Sequence, residues 1–354
     1  MSKLALVTGA TGFLGSHMVE LLVKEGYTVR ATDLPPPTDQ NDPQRGRYPA
    51  LLKKLGVEFI PSNLGRPENL QDVVKGVDLV FHIAALFSYI IPWEQLYKVN
   101  VEGTRHLLDA LLKDGSLKRL VLWGAGGIYG TPRPEELPLR ETSPIRPPNN
   151  YLKSKWTQEQ LVHQYYGLEK LPYTSIRPTG VYGPRAIYGM GQLIIQLGNM
   201  KKIKIPRNFK GRMPLVHAVD VCRAALFLSQ KEEAMAQAYN LADDVPYGTV
   251  DYFRMMAELF EKPFSALPPV PIPLVKGAAY AAAVVENFLS MKLMKKKPKL
   301  EKDTIFLLGG DFWYTNEKLK NLGFQFTYPD GKEGMAQTIP WYRENGLIPS
   351  GNRA

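Results

Sequence analysis

Cysteine is nearly missing from this chain: Cys222 is the only one in 354 residues. A single thiol excludes an intramolecular disulfide framework and any Cys-rich zinc or iron–sulfur site. Histidine is scarce as well. His17, His82, His106, His163 and His217 include no HExxH and no pair at helical ligand spacing, so no protein-held metal is expected. Within residues 274–292 the longest charge-free run is nine residues, 277–285, against the roughly 20 that cross a bilayer. Residues 4–7, ahead of the first Thr-Gly pair, are too short an apolar run for a signal peptide. With the lone cysteine, the expectation is a cytoplasmic protein.

Acidic residues are outnumbered, 34 against 44 Lys and Arg, for a formal charge of +10. Such an excess fits nucleic acid, a membrane surface or an anionic ligand, and its distribution decides. Residues 292–302 hold six lysines and one glutamate, so half of the excess sits in one short stretch. No nucleic-acid motif accompanies it, and no nucleic-acid partner is expected. Hydrophobic residues make up 44% and charged residues 22%, an ordinary globular mix that excludes wholesale disorder and a multi-span membrane protein.

What is present is an alternation of apolar strands and amphipathic helices. Strands are predicted at 4–8, 27–33, 57–61, 79–83, 119–123 and 173–177, with helices at 17–24, 68–74, 97–112 and 151–166 between them. That order predicts an α/β fold, a doubly wound parallel sheet of Rossmann type. Beyond about Gly183 the texture changes, although 216–230 and 238–242 still read as returning helix and strand. Residues 263–273 carry five prolines and read as a linker-like excursion. The expected division is therefore a dinucleotide-binding domain from 1–182 and 214–242, and a smaller substrate domain from 183–213 and 243–354.

The sharpest signal is TGATGFLG, residues 8–15, which sets Gly9, Gly12 and Gly15 between a strand and a helix. Glycines there permit a tight turn and let a pyrophosphate approach backbone N–H groups at the helix start, where the dipole favours anions. Asp33 ends the second strand, 18 residues past the last glycine. A carboxylate there accepts bonds from the adenosine ribose and repels a 2′-phosphate, so NAD is the expected cofactor. Tyr151 and Lys155 form YxxxK, which places both side chains on one helix face. An ammonium near a phenol stabilises the phenolate and brings tyrosine toward acid–base work near neutrality.

With these motifs stand HIAA at 82–85, NVEGT at 100–104, IYG at 128–130, RPTGVYGP at 177–184 and LVHAVDV at 215–221. Together they resemble the extended short-chain dehydrogenase/reductase family, the NAD-dependent epimerase/dehydratase superfamily, over nearly the whole chain. The resemblance implies cofactor contacts from Gly9, Thr11, Gly12, Phe13, Leu14, Gly15, Asp33, Asn63, Leu64, Ala84, Ala85, Asn100, Tyr151, Lys155, Pro178 and Val181. Asn63 stands where the family usually has an aspartate for the adenine amine. The resemblance also implies a homodimer through helices 97–112 and 151–166.

One departure matters. The family's catalytic Ser or Thr lies four residues before the tyrosine of the YG motif, which here is Ala125, and no serine or threonine occurs between Ser116 and Thr131. Losing such a donor costs roughly 3 to 4 kcal/mol of transition-state stabilisation. Three explanations stand: another donor such as Ser88 or a water takes over, the residue has been exchanged, or the chain is a weak or non-catalytic NAD-binding member.

The carboxy-terminal half resembles 3β-hydroxysteroid and sterol-4-carboxylate 3-dehydrogenases more than nucleotide-sugar epimerases, which commonly carry an arginine where this chain has Leu308. The loop after the fourth strand reads LFSYIIPW, residues 86–93. Its aromatics either line a pocket for a lipid-like substrate or pack the two domains together. The expected substrate contacts are Phe87, Ser88, Tyr89, Gly126 and Tyr182, and the expected reaction is hydride exchange between NAD and a secondary alcohol of a hydrophobic, sterol-like molecule. Residues 274–292 draw as a helix with Leu274, Ala278, Ala281, Val285 and Phe288 on one side. Together with the lysines that follow, 274–302 is either an interfacial patch for peripheral membrane contact or an internal helix before a solvated charge run. Asp220 reads as a helix N-cap and His217 as a hydrogen-bonded core residue. Tyr129 is expected to pack near the site.

Overall fold

The computed structural model describes residues 3–35, 48–290 and 309–350. The lysine cluster at 292–302 and Leu308 lie outside the described residues.

The strands are β1 (Leu4–Thr8), β2 (Thr28–Thr32), β3 (Glu58–Phe59), β4 (Leu79–His82), β5 (Arg119–Trp123), β6 (Tyr173–Pro178), β7 (Gly180–Tyr182), β8 (Ile203–Pro206), β9 (Leu215–His217), β10 (Ala238–Leu241) and β11 (Phe264–Leu267). Between and after them run α1 (Phe13–Lys24), α2 (Pro49–Lys54), α3 (Leu70–Val74), α4 (Trp93–Leu96), α5 (Gly103–Asp114), α6 (Asn150–Glu169), α7 (Met190–Asn199), α8 (Ala218–Ser229), α9 (Thr249–Leu259), α10 (Ile272–Phe288), α11 (Glu317–Lys320) and α12 (Gly331–Glu344). Seven strands form one parallel sheet in the order β10-β6-β5-β4-β1-β2-β3.

Strands buried on both faces are built largely of apolar residues; β4 and β5 are buried throughout, with His82 and Arg119 the polar residues at their ends. Alternate residues serve opposite layers. Ala5 and Val7 of β1 pack with Met18, Leu22, Val221 and Ala225 of α1 and α8, while Leu6 packs with Leu107, Leu108 and Val162 of α5 and α6. A third core lies beyond the sheet, where Tyr182, Ile194, Leu197, Tyr252, Met256, Ile339 and Tyr342 meet.

Three local expectations are corrected. The helix read from residue 17 begins at Phe13, directly on the glycine turn. Residues 263–273 are not a plain excursion, because β11 pairs in parallel with β8, with Pro263 and Pro268 just outside the strand where a missing N–H costs no ladder bond. The N-cap of α8 is His217, whose Nδ1 accepts from Val219 N at 3.2 Å. Asp220 is buried one turn on and accepts the backbone N–H groups of Thr327 and Tyr328 at 2.7 and 2.8 Å.

Candidate functional site

Thr8, Thr32, His82, Leu122 and Ser175 stand in one register row across the sheet. The residues that follow them therefore line its carboxyl edge. Chain order reverses between β1 and β4, the switch point at which open α/β sheets leave a crevice. The glycine turn opens there. Gly9 has φ +66° and lies so close to Ala84 that a Cβ would come within 2.9 Å of its backbone; a Cβ on Gly15 would sit 2.0 Å from Gly9 O. Gly12 caps α1 without a side-chain acceptor, and the first turn, with Phe13 and Leu14, holds no acidic residue. An uncapped, acid-free start of a twelve-residue helix suits a pyrophosphate.

Asp33 follows β2. Its carboxylate accepts from Thr11 N at 3.0 Å, Thr11 Oγ1 at 2.5 Å and Leu34 N at 2.7 Å, which fixes it beside the glycine turn. Asn63 is exposed, and its Oδ1 accepts from Gly65 N at 2.9 Å. Leu64 is buried against Gly103, and its carbonyl accepts from His106 Nδ1 at 2.8 Å. Ala84 and Ala85 follow β4. Asn100 lies in a π turn, Tyr97–Glu102, and is fully buried. Its amide clamps the following loop by accepting from Leu86 N at 2.7 Å and donating to Leu86 O at 3.2 Å, and it also donates to Ser154 Oγ on α6 at 2.9 Å.

α6 presents Tyr151 and Lys155. Asn149 caps it by accepting from Leu152 N at 2.9 Å. Tyr151 meets Phe87 edge-on at 4.9 Å between ring centroids and Tyr89 at 5.7 Å, so the aromatic loop and the phenol form one enclosure. Burial and the neighbouring Tyr89 push the Tyr151 phenol above its ordinary value of 10. Lys155 is buried, and its Nζ donates to Gln158 Oε1 at 2.5 Å. Burial lowers it to about 7, against a smaller opposing pull from Glu159. That carboxylate is committed to Arg177 on β6, which it grips through Nε and Nη2 with both side chains buried.

Ala125 follows β5 in extended backbone and packs against the cluster of Ile128, Tyr129, Leu139 and Tyr314. Gly126 O accepts from Tyr314 Oη at 3.0 Å, and a Cβ on Gly126 would approach Pro178 O to 3.1 Å, so β5 and β6 end side by side there. Ser88 is buried, and its Oγ accepts from Ile90 N at 3.2 Å. Val181 packs against the sheet's first core, whereas Tyr182 stands in the third core and donates to Asp243 Oδ2 at 3.2 Å. Tyr129 donates to Asn240 Oδ1 at 2.8 Å and receives Arg177 Nη1 at 2.7 Å.

The turn, Asp33, Ala84, Asn100, Ala125, Tyr151, Lys155 and Pro178 thus share one edge of the sheet, and Tyr182 belongs to the core behind it. Thr8, His82 and Thr104 enter the sequence reading only within TGATGFLG, HIAA and NVEGT, and Gln158 not at all. These are buried partners that join Lys155 to the glycine turn. No group of side chains able to hold a metal ion occurs among the described residues.

Residues 5–242 match the NAD dependent epimerase/dehydratase family. The chain is 28% identical to 3beta-hydroxysteroid-dehydrogenase/decarboxylase isoform 1 of Arabidopsis thaliana over 94% of this chain and 78% of that protein. It is 26% identical to dTDP-D-glucose 4,6-dehydratase of Homo sapiens over 97% of this chain and 91% of that protein. Among solved structures, the UDP-glucose 4-epimerase of Thermus thermophilus in complex with NAD superposes with a TM-score of 0.70 at 22% identity, over 96% of this chain and 99% of that one, a likeness of fold. The family match runs from within β1 to just past β10, taking in the glycine turn and the crevice it opens, and on that ground the chain belongs to the NAD-dependent epimerase/dehydratase family, with NAD as its cofactor.

Proposed function

We propose that this protein is an NAD(H)-dependent oxidoreductase acting on a secondary alcohol or ketone of a hydrophobic, sterol-like substrate. The observation that carries the reading is the enclosure at Tyr151, where Phe87 and Tyr89 set aromatic faces around the one phenol of the YxxxK pair. Phe87 remains 38% exposed, an apolar surface at the mouth of the crevice. In this reading Tyr151 moves the hydroxyl proton, Lys155 stabilises its phenolate, and Asn100 holds the aromatic loop by both polar groups of Leu86. The glycine turn with Phe13 and Leu14 holds the pyrophosphate, Asp33 and Thr11 the adenosine ribose, and Leu64, Ala84, Ala85, Pro178 and Val181 the walls. NAD, when bound, supplies the hydride acceptor.

A nucleotide sugar is the second reading, favoured by the similarity to the human dehydratase. Against it stands Leu308, where nucleotide-sugar enzymes commonly carry an arginine for the diphosphate. The test is a panel of 3β-hydroxysterols and nucleotide sugars with NAD, followed by nicotinamide absorbance and product mass. Reduction of NAD by sterols, lost in Tyr151→Phe, is expected; turnover of nucleotide sugars alone would overturn the sterol reading.

The same reading makes 1–182 with 214–242 the cofactor half and 183–213 with 243–354 the substrate half, supported by the return of β10 to the sheet and by the separate third core. It includes a homodimer through the α5 and α6 faces, and a cytoplasmic protein in peripheral contact with membrane. No described helix is long and apolar enough to cross a membrane. Support for surface contact comes from α10, whose Leu274, Val285 and Phe288 are 70%, 57% and 53% exposed.

A further inference from the structure

The bonds between Lys155 and the glycine turn have fixed directions. Thr8 Oγ1 accepts from Ile83 N and Ala84 N, each at 3.1 Å, so its own proton goes to His82 Nδ1 at 2.8 Å. His82 is then the Nε2–H tautomer and donates to Thr104 Oγ1 at 2.8 Å. Thr104 spends its proton on Asn100 O at 2.6 Å, so it can only accept from Gln158, which donates through Nε2 at 2.7 Å. The Gln158 amide therefore has one permitted orientation, and its oxygen faces Lys155. A neutral acceptor, not a carboxylate, receives the lysine. Among the described residues this is the one hydrogen bond Lys155 makes, and none joins it to Tyr151.

We propose that Gln158 is a positioning residue that docks the Lys155 amine on the His82–Thr104 network, and that the amine leaves this dock when the dinucleotide is bound, so that NAD binding is linked to protonation of Lys155. The inference rests on the NAD-dependent function proposed above and on the cofactor contact that the family resemblance implies for Lys155. The titratable groups facing the lysine are His82 of β4, Glu159 and Tyr151 of its own helix, and Arg177 of β6 through Glu159. His82 is neutral, held near 3 by burial, and Glu159 is paired with Arg177. Little in the docked state favours the charge, and burial brings the amine to about 7. Beside the hydroxyls of a cofactor ribose the charged form would gain acceptors that the dock does not offer.

The experiment is calorimetric titration of NADH into the full chain at pH 7.5, in buffers of different ionisation enthalpy. The slope of binding heat on buffer enthalpy reads the protons taken up, and roughly 0.7 proton is expected for a lysine moving from about 7 toward its ordinary value. Gln158→Glu, which puts a carboxylate under the amine, should move the midpoint of uptake to higher pH and erase the slope at pH 7.5. Gln158→Met, which removes the acceptor, should move the midpoint lower. A purely structural role for Gln158 would weaken binding in both variants without opposite shifts. Heats independent of buffer, or an unchanged slope in Lys155→Met, would overturn the linkage alone. No binding heat at all would overturn the dinucleotide reading and this inference with it.

Discussion

Ala125 puts a methyl group where a donor to the substrate oxygen is expected, beside a carbonyl already taken by Tyr314. If the geometry around it is competent, a hydroxyl there should help chemistry more than binding, because its hydrogen bond strengthens as charge develops on the oxygen. Ala125→Ser is expected to raise single-turnover rate on an accepted alcohol at least about tenfold, about 1.4 kcal/mol, with NAD affinity unchanged and the gain lost in Tyr151→Phe. A serine variant no faster than a competent unmodified enzyme would mean that another group, Ser88 among them, already donates. Asp33 carries the second residue-level expectation. Its carboxylate is fixed by Thr11 and Leu34, so it stands as a ready-made repulsion for a 2′-phosphate. Calorimetry should give tighter NADH than NADPH binding and a smaller preference in Asp33→Ala; equal affinities in the unmodified chain would reject the assignment.

Among the elements, α10 is the one whose sequence pattern left its surroundings open. The stripe drawn through Leu274, Ala278, Ala281, Val285 and Phe288 is exposed along its length in the described structure. Vesicle flotation with anionic lipid should recover the protein at low salt and lose it at high salt. Leu274→Glu combined with Val285→Glu should abolish flotation without loss of thermal stability, since neither side chain is buried; flotation untouched by the pair would remove α10 from the contact. Legibility elsewhere followed burial. β5 was readable because four of its five residues, Leu120 to Trp123, form the unbroken apolar run of a doubly covered parallel strand. β11 was not, since a short, half-exposed strand between prolines leaves no alternation to count. The π turn at Tyr97–Glu102, from which Asn100 bonds Leu86, left no periodic signal either. In the site, the glycine turn, Asp33 and the YxxxK pair were legible as motifs. The Gln158 dock was hidden, because a glutamine three residues past a lysine reads like any solvated helix position until tertiary packing buries it.

For the whole molecule, buried imidazoles set the response to acid. Burial lowers His17 and His82 to about 3 and His217 to about 4, while burial raises Asp243 to about 8. As pH falls below the ordinary histidine value of 6.5 toward 4, the unfolded chain gains three protons that the folded chain refuses. The folded chain retains the one on Asp243 that the unfolded chain releases, so unfolding takes up a net of about two protons. The stability contributed by the neutral histidines is thus complete above about pH 6.5 and is lost on the acid side. Urea midpoints should fall from about pH 6.5 to about 4.5, and His82→Asn should flatten the decline by about one proton; midpoints level across that range would contradict the assignment. The return of β10 to the sheet bears on how the chain is made. β6 emerges from synthesis 60 residues before the start of β10, its neighbour on the outer side, which at typical elongation rates is about 3 to 12 seconds. During that interval the last-formed edge of a buried parallel sheet has bare backbone donors and acceptors, the configuration most prone to pairing with another nascent chain. The stretch between the two strands is therefore a period of aggregation risk in biogenesis, and slowing translation across residues 179–237 should lower soluble yield more than slowing it after residue 242.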